Sequence, residues 1–142
     1  MKIFITGVAG FLGSHLADLM LAAGHTVAGN DNMIGGYTDN IPQGVEFHQV
    51  DCCDLENLTK AMEDCDIVYH CAATAYEGLS VFSPVLVTRN IFEASVTTIT
   101  AAIRNKVRRI VYCSSMARYG HHDDMPYRET YECRPQDPYG IA

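Results

Sequence analysis

The stretch "TGVAGFLG", residues 6–13, joins a short apolar run to a segment whose apolar residues recur at helical spacing. It contains Gly7, Gly10 and Gly13. In a strand–turn–helix unit the first glycine allows a tight turn, the second lets a phosphate approach the backbone, and the third lets the helix pack on the sheet. The stretch therefore predicts a dinucleotide site, in which phosphates meet the free amide groups at a helix N-terminus.

Strand-like and helix-like segments alternate along the rest of the chain. Strands are expected at residues 2–7, 25–31, 45–50, 66–73 and 108–115. Helices are expected at residues 11–24 and 55–64, the second capped by Asp54, and over a long region from about 84 to 104. This alternation predicts an α/β fold, a doubly wound parallel sheet whose ligands bind outside the carboxyl ends of the strands.

Composition limits the classes of protein to which the chain can belong. Its 142 residues suit one domain, and its net charge of −7 argues against a surface for nucleic acid or for an acidic membrane. No apolar run reaches membrane-spanning length, and "MKIFITG" already has the pattern of a strand, so we expect no signal peptide in front of it. Six cysteines without a C-x-x-C pair indicate reduced thiols and a cytoplasmic protein.

Asp31 ends the second predicted strand, near the distance at which a carboxylate binds the ribose hydroxyls of adenosine. The same carboxylate would repel a 2′-phosphate, so Asp31 favours NAD over NADP. The alternative is a glycine turn that merely joins strand to helix, with Asp31 as an ordinary loop acid.

The spacing T-G-x-x-G-x-x-G resembles that of the extended short-chain dehydrogenase/reductase family, whose members are NAD-dependent epimerases and dehydratases. Further stretches resemble segments of this family, in the family's order: "GNDNMIGG", "VDCCDL", "YHCAA", "SVFSPVLVTRN", "VYCSSMARYG" and "DPYG". The last resembles the start of the family's Y-x-x-x-K catalytic motif. The resemblance covers the whole chain and implies an NAD-binding Rossmann domain over residues 1–142.

The resemblance also implies roles for individual residues. It implies that Tyr139 is the catalytic base and that Ser115 hydrogen-bonds to the same substrate oxygen. It implies contacts with NAD at Gly7, Gly10, Phe11, Leu12, Gly13, Asp31, Asn32, Asp51, Cys52, Cys71, Ala72, Ala73, Asn90, Cys113, Ser114 and Tyr139.

The family's lysine stands four residues after its tyrosine, and four residues after Tyr139 would be position 143, beyond Ala142. We therefore expect the chain to be an N-terminal portion of a longer enzyme, without the substrate-binding part and inactive by itself. In the family, the helix that contains "EASVTTITAAIRNK" packs against its copy in a second subunit, so the resemblance implies a homodimer.

The function that the resemblance implies is NAD-dependent epimerisation of a nucleotide-diphosphate sugar, with hydride removed and returned at a sugar carbon that we expect to be C4. Dehydration is disfavoured because Met116 and Ala117 occupy the positions of the Asp-Glu pair of dehydratases. Two alternatives stay open: another NAD-dependent nucleotide-sugar oxidoreductase or decarboxylase, and a non-catalytic dinucleotide-binding regulator.

One other cluster has the chemistry of a metal site. The segment "GHHDDM" contains His121, His122, Asp123 and Asp124. Adjacent side chains in a loop diverge, and no further cluster is spaced to complete a coordination shell. We therefore expect a solvated loop and no metal.

Overall fold

The computed structural model describes residues 1–142 and contains one five-stranded parallel sheet. Its strands are β1 (Lys2–Thr6), β2 (Thr26–Asp31), β3 (Val45–Gln49), β4 (Ile67–His70) and β5 (Arg109–Tyr112). They lie in the order β3-β2-β1-β4-β5. This is the strand order of a doubly wound α/β sheet, as the alternation of segments predicts.

Helices cover both faces of this sheet. They are α1 (Phe11–Ala22), α2 (Leu55–Ala61), α3 (Glu77–Phe82), α4 (Pro84–Thr88), α5 (Ala94–Arg104) and α6 (Pro138–Ile141). On one face Ile3, Ile5 and Val27 pack with Ala17 of α1. On the other face the buried side chains are those of Phe4, Ala28, Val68, Leu58, Ala101 and Ala102, the last three from α2 and α5. None of the helices combines the length and the apolar composition that a membrane crossing requires.

Most helix and strand positions agree with the sequence predictions. Asp54 caps α2, because its Oδ1 accepts the Asn57 N–H at 3.2 Å. The region from 84 to 104 is helical throughout, but Arg89–Glu93 forms a π-helical segment between α4 and α5. Helix α3 was not predicted, because its six residues are too few for a helical period to appear in the sequence.

The position of β1 in the sheet decides where a ligand can bind. Strand β1 pairs with β2 on one side and with β4 on the other, so the direction in which the chain adds strands reverses at β1. A crevice forms at such a switch point, outside the carboxyl ends of the strands. Thr6 ends β1 at this place, and the glycine turn follows it immediately.

Candidate active site

The glycine turn begins with a backbone conformation that requires glycine. Gly7 has φ +69°, and a Cβ there would lie 2.9 Å from Cα of Ala72. Its N–H donates to the carbonyl of Asn30 at 2.8 Å, and the N–H of Val8 donates to the same oxygen at 3.1 Å. The turn is therefore tied to the end of β2 and is packed against the loop that follows β4.

Gly10 keeps the space in front of α1 open. Its backbone is extended, with φ −82° and ψ 174°, and a Cβ there would meet only the carbonyl oxygen of Gly7, at 3.2 Å. No side chain caps α1, and the first intrahelical bond runs from Ser14 N–H to Gly10 O at 3.0 Å. The first amides of the helix thus lack intrahelical acceptors, and together with the helix dipole they suit an anion such as pyrophosphate.

Asp31 is held by backbone groups on both sides of the crevice. Its Oδ2 accepts the Ala9 N–H at 3.2 Å, and its Oδ1 accepts the Met33 N–H at 2.8 Å. Asp31 is buried, with only 8% of its surface exposed. A carboxylate has further lone pairs beyond these two bonds, so Asp31 can also accept hydrogen bonds from ligand hydroxyls.

Asp51 is the second carboxylate at this end of the crevice. Partial burial pushes its pKa up, but hydrogen bonds outweigh this effect and hold the pKa below its usual value. The donors are the Cys53 N–H at 2.8 Å, Asn32 Nδ2 at 3.3 Å and Arg89 Nη1 at 3.2 Å. Asp51 is therefore ionised at neutral pH and fixes the loops after β2 and β3 relative to each other.

A buried hydrogen-bond network lies below the loop that follows β4. Thr6 Oγ1 accepts the N–H groups of Cys71 and Ala72, both at 3.1 Å, so its own hydrogen is directed to His70 Nδ1 at 2.8 Å. The other ring nitrogen, Nε2, then carries the proton and donates to Ser95 Oγ at 3.1 Å. Burial lowers the pKa of His70 to about 4, so the ring stays neutral. Both ring nitrogens of His70 therefore have hydrogen-bond partners, and His70 is a satisfied core residue.

Asn90 lies in the π-helical segment and is 9% exposed. Its Nδ2 donates to Thr74 Oγ1 at 2.9 Å, and its Oδ1 accepts from Arg89 Nη1 at 3.0 Å. Asn90 therefore anchors the loop after β4 from the helix side. A π-turn inside a helix often marks a functional site, since it redirects a side chain that a regular helix would aim elsewhere.

Ser115 and Tyr139 come from separate segments that meet beyond β5. Ser115 Oγ accepts the Ala117 N–H at 3.2 Å and thereby caps the 3₁₀ turn Met116–Tyr119. Asp137 caps α6 by accepting the Gly140 N–H at 2.9 Å. A Cβ at Gly140 would lie only 2.8 Å from the carbonyl oxygen of Ala117, so glycine lets α6 approach the turn. Ser115 and Tyr139 line one cavity of about 290 Å³.

A larger cleft of about 520 Å³ runs along the carboxyl ends of the strands. Its volume is that of a small-molecule site. The structure brings to this cleft every residue for which the resemblance implies a cofactor contact: Gly7, Gly10, Phe11, Leu12, Gly13, Asp31, Asn32, Asp51, Cys52, Cys71, Ala72, Ala73, Asn90, Cys113, Ser114 and Tyr139. Tyr139 also lines the smaller cavity, so the two cavities meet at its side chain.

The remaining polar candidates lie away from the cleft. His121 and Asp123 form an exposed pair at 3.3 Å, and His122 Nε2 lies 3.0 Å from the carbonyl oxygen of Glu132. Arg118 is different, because it lines the smaller cavity together with Ser115 and Tyr139. It donates through Nε to Cys133 Sγ at 3.2 Å, and its guanidinium lies 4.9 Å from the ring centroid of Tyr119.

Sequence reasoning assigned no role to several residues that shape the cleft. Thr6 and Asn30 connect the glycine turn to neighbouring loops, and Asn30 Nδ2 donates to Val50 O at 2.8 Å. A Cβ at Gly29 would lie 2.5 Å from Ile5 O, and one at Gly36 would lie 2.9 Å from the Asp31 carboxylate. Only Gly29 carried a signal, since glycine inside a strand often marks close backbone approach.

Comparison with known families gives a single description for almost the whole chain. The model of the NAD dependent epimerase/dehydratase family matches residues 3–142. The chain belongs to this family. The family resemblance predicted from the motifs is therefore confirmed.

Similar proteins within the epimerase/dehydratase family are sugar-nucleotide epimerases. A UDP-glucose 4-epimerase from Streptomyces lividans is 32% identical over 99% of this chain and 44% of its own length. The UDP-glucose 4-epimerase of Thermus thermophilus, solved with NAD, has a TM-score of 0.94 and 34% identity over 99% of this chain and 47% of its own. That of Thermotoga maritima, solved with UDP-glucose, has a TM-score of 0.95, 29% identity, and the same two coverages. The chain thus spans less than half the length of these relatives.

Proposed function

We propose that this chain is the NAD-binding domain of a nucleotide-sugar 4-epimerase that acts on a UDP-linked sugar. The observation that carries the proposal is the continuity of the cleft, which runs from the uncapped start of α1 to Tyr139 and adjoins the cavity that contains Ser115. A dinucleotide bound along this cleft would extend from the amides at the start of α1 to the side chain of Tyr139. The names of the similar proteins favour a UDP sugar as the substrate.

The residues present fit a dinucleotide. The amides of Phe11, Leu12 and Gly13 have no intrahelical acceptors and would bind the pyrophosphate, in space that a Cβ at Gly10 would fill. Asp31 would accept hydrogen bonds from the hydroxyl groups of the adenosine ribose. Asp51, Asn32 and Cys52 would lie beside the adenine ring. Ala72, Ala73, Asn90, Cys71, Cys113 and Ser114 would line the part of the cleft that leads to the nicotinamide.

NAD, when bound, supplies the acceptor and donor of hydride in this reaction. Tyr139 would take the proton from the sugar hydroxyl, and Ser115 would hold the same oxygen through its hydroxyl hydrogen. Ser115 Oγ already accepts the Ala117 N–H, so its own hydrogen is left to donate to the substrate. Return of hydride to the opposite face of the resulting ketone would invert the carbon.

The assembly and the compartment are part of the same proposal. Phe92, Val96, Ile99 and Ile103 form an apolar stripe at helical spacing and are 40% to 71% exposed, which suits the homodimer that the resemblance implies. All six cysteines are free thiols, which suits a cytoplasmic protein. Size-exclusion chromatography with light scattering measures the oligomeric state directly.

Titration of the chain with NAD⁺ and NADP⁺ tests the cofactor assignment. NAD⁺ is expected to bind at least tenfold more tightly, about 1.4 kcal/mol, because the buried carboxylate of Asp31 would repel a 2′-phosphate. The matched control is Asp31→Asn, which keeps the shape and should reduce this preference. Equal or tighter binding of NADP⁺ by the parent would contradict the role of Asp31.

Turnover separates catalysis from the regulatory alternative. A protein of the relatives' length that contains this chain should interconvert C4 epimers of a UDP sugar, which chromatography of the sugar nucleotides detects. Tight NAD binding without turnover of any sugar nucleotide would favour a non-catalytic dinucleotide-binding regulator.

A further inference from the structure

Cys71 and Cys113 directly follow β4 and β5, and their sulfur atoms lie 3.6 Å apart. His70 and Tyr112 are register partners, and the ladder continues past them because the Cys113 N–H donates to His70 O at 3.1 Å. Adjacent strands are about 4.8 Å apart. A disulfide accommodates Cα separations of roughly 4.4–6.8 Å, so a small movement of the two side chains would bring the sulfurs to bonding distance.

The other four cysteines contact oxygen or nitrogen atoms and no second sulfur. Cys53 donates to Arg89 O at 3.5 Å and Cys65 to Glu63 O at 3.7 Å, whereas Cys52 accepts from Asn30 Nδ2 and Cys133 from Arg118 Nε. Cys71 and Cys113 are therefore the one pair of thiols that the fold holds in contact.

The two thiols differ in their access to solvent. Cys113 is exposed and Cys71 is half-buried. Burial, with a smaller effect of the neighbouring Cys113, raises the pKa of Cys71 to about 12. A small oxidant therefore reaches Cys113 first. The contact at 3.6 Å makes Cys71 the thiol that can resolve the oxidised sulfur, and its raised pKa makes this second step the slower one.

We propose that Cys71 and Cys113 form a redox modification site, at which hydrogen peroxide converts the two thiols to an intramolecular disulfide. The Cys113 sulfur attacks one peroxide oxygen, the O–O bond breaks, and a sulfenic acid and one water form. The Cys71 sulfur then attacks the Cys113 sulfur, the S–O bond breaks, and the hydroxyl leaves with the Cys71 proton as a second water. The thiols lose two protons and two electrons, and hydrogen peroxide is reduced to two waters.

The site lies inside the larger cleft, where both cysteines are lining residues together with Ser114 and Tyr139. The disulfide would tie the ends of β4 and β5 together at this wall. Bound NAD would cover the pair and slow its oxidation; this consequence rests on the proposed function, whereas disulfide formation does not.

Peroxide treatment of the full, freshly reduced chain tests the site. Free thiols are alkylated after the reaction, and the peptides are mapped by mass spectrometry under non-reducing conditions. We expect a cross-linked peptide that joins Cys71 to Cys113, lighter by two hydrogens than the sum of its parts and reversed by dithiothreitol. Cys133→Ser, which removes an exposed cysteine outside the pair, should form the same cross-link as the parent chain.

Cys71→Ser and Cys113→Ser should abolish this cross-link, and circular dichroism verifies that each variant is folded. Cys71→Ala is a second variant in case a hydroxyl is not tolerated at the half-buried position. Oxidation of Cys113 in the parent chain to sulfinic acid without a cross-link, or a disulfide to another cysteine, would overturn the proposal. Saturating NAD⁺ should slow cross-linking at least tenfold. An unchanged rate would contradict the proposed placement of the cofactor but not the redox site, which the cross-link between Cys71 and Cys113 tests independently.

Discussion

The two ends of the cleft are built in different ways. At the nucleotide end, which we define as the turn of residues 7–13 together with Asp31, the supporting strand β1 is enclosed on both faces, and Ile3, Phe4 and Ile5 are at most 1% exposed. At the reaction end, defined as Ser115 and Tyr139, the supporting strand β5 pairs only with β4 within this chain, and Val111 and Tyr112 are 38% and 44% exposed in it.

The chemical groups at the two ends differ accordingly. The nucleotide end presents backbone amides of consecutive residues, which a strand–turn–helix unit fixes locally. The reaction end presents side chains from two segments that meet through packing of α6 on the 3₁₀ turn. Substitutions at the nucleotide end should therefore alter cofactor affinity or folding, whereas substitutions at the reaction end should alter turnover.

Tyr139→Phe should have the largest effect and would be confined to the reaction end. The substitution removes the phenolic oxygen of Tyr139 in α6 and leaves its ring in place. In a protein of the relatives' length, turnover should fall roughly a hundredfold or more, the usual loss for a general base. Epimerisation is measured together with NAD⁺ affinity, which should fall much less than turnover because the ring of residue 139 still lines the cleft; unimpaired turnover would refute the role of Tyr139.

Gly10→Val should act on binding at the nucleotide end and leave the fold intact. Gly10 has an extended backbone conformation that any residue can adopt. A Cβ at this position would approach only the carbonyl oxygen of Gly7 and would otherwise face open space. Loss of amide–phosphate hydrogen bonds, at about 1.5–3 kcal/mol each, predicts a loss of roughly a hundredfold in NAD⁺ affinity. Calorimetric titration measures this change.

The matched control for this prediction is Gly13→Val. A Cβ at Gly13 would lie 2.9 Å from Cα of Val8 and would collide with the Gly7 carbonyl, so this variant should lose stability, by about 1–3 kcal/mol or more. Denaturant unfolding of both variants distinguishes the two glycines. If the Gly10→Val chain binds NAD⁺ as tightly as the parent chain does, the pyrophosphate does not bind at this turn.

Gly140→Ala should shift the reaction end by a smaller amount. The added methyl group would lie 2.8 Å from Ala117 O and would push α6, with Tyr139, away from Ser115. Because small misplacements of catalytic groups are costly, we expect a roughly tenfold loss of turnover with unchanged NAD⁺ affinity. Gly78→Ala in α3 is the matched control, since a Cβ there meets nothing within 4 Å. Equal turnover of both variants would show that Gly140 does not position Tyr139.

His70 lies between the two ends and should make stability depend weakly on pH. Its pKa falls from 6.5 when unfolded to about 4 in the fold, so the unfolded chain binds more protons as the pH falls below 6.5. The stabilisation present above pH 6.5 is lost as the pH falls toward 4, by about 1 kcal/mol between pH 6.5 and roughly 5.5. Urea unfolding of the parent and of His70→Gln measures it; identical pH slopes would contradict the buried neutral ring.

The parts of the molecule that the sequence predicted are those with local causes. The glycine turn, the five strands and the Asp54 cap depend on residues within a few positions of each other, and their signals survive in the sequence. The candidate cofactor residues were predicted one by one from family resemblance, and they line a common cleft in the structure, whereas Ser115 lines the adjoining cavity. Helix α3 is too short to show a helical period, and the π-helical segment has no local signal. Contacts with other segments support both: the Ser80 hydroxyl reaches Asp137 at 3.4 Å, and Asn90 Nδ2 donates to Thr74 Oγ1 at 2.9 Å.

The sequence by itself determined the alternation of strands and helices, the place of the phosphate turn and the acid that follows β2, since periodicity and glycine content express them directly. The tertiary structure alone decided which distant groups touch: His70 with Thr6 and Ser95, Gly140 with Ala117, and Cys71 with Cys113. Contacts of this kind depend on strand order and register, and both follow from how the helices bury the two faces of the sheet.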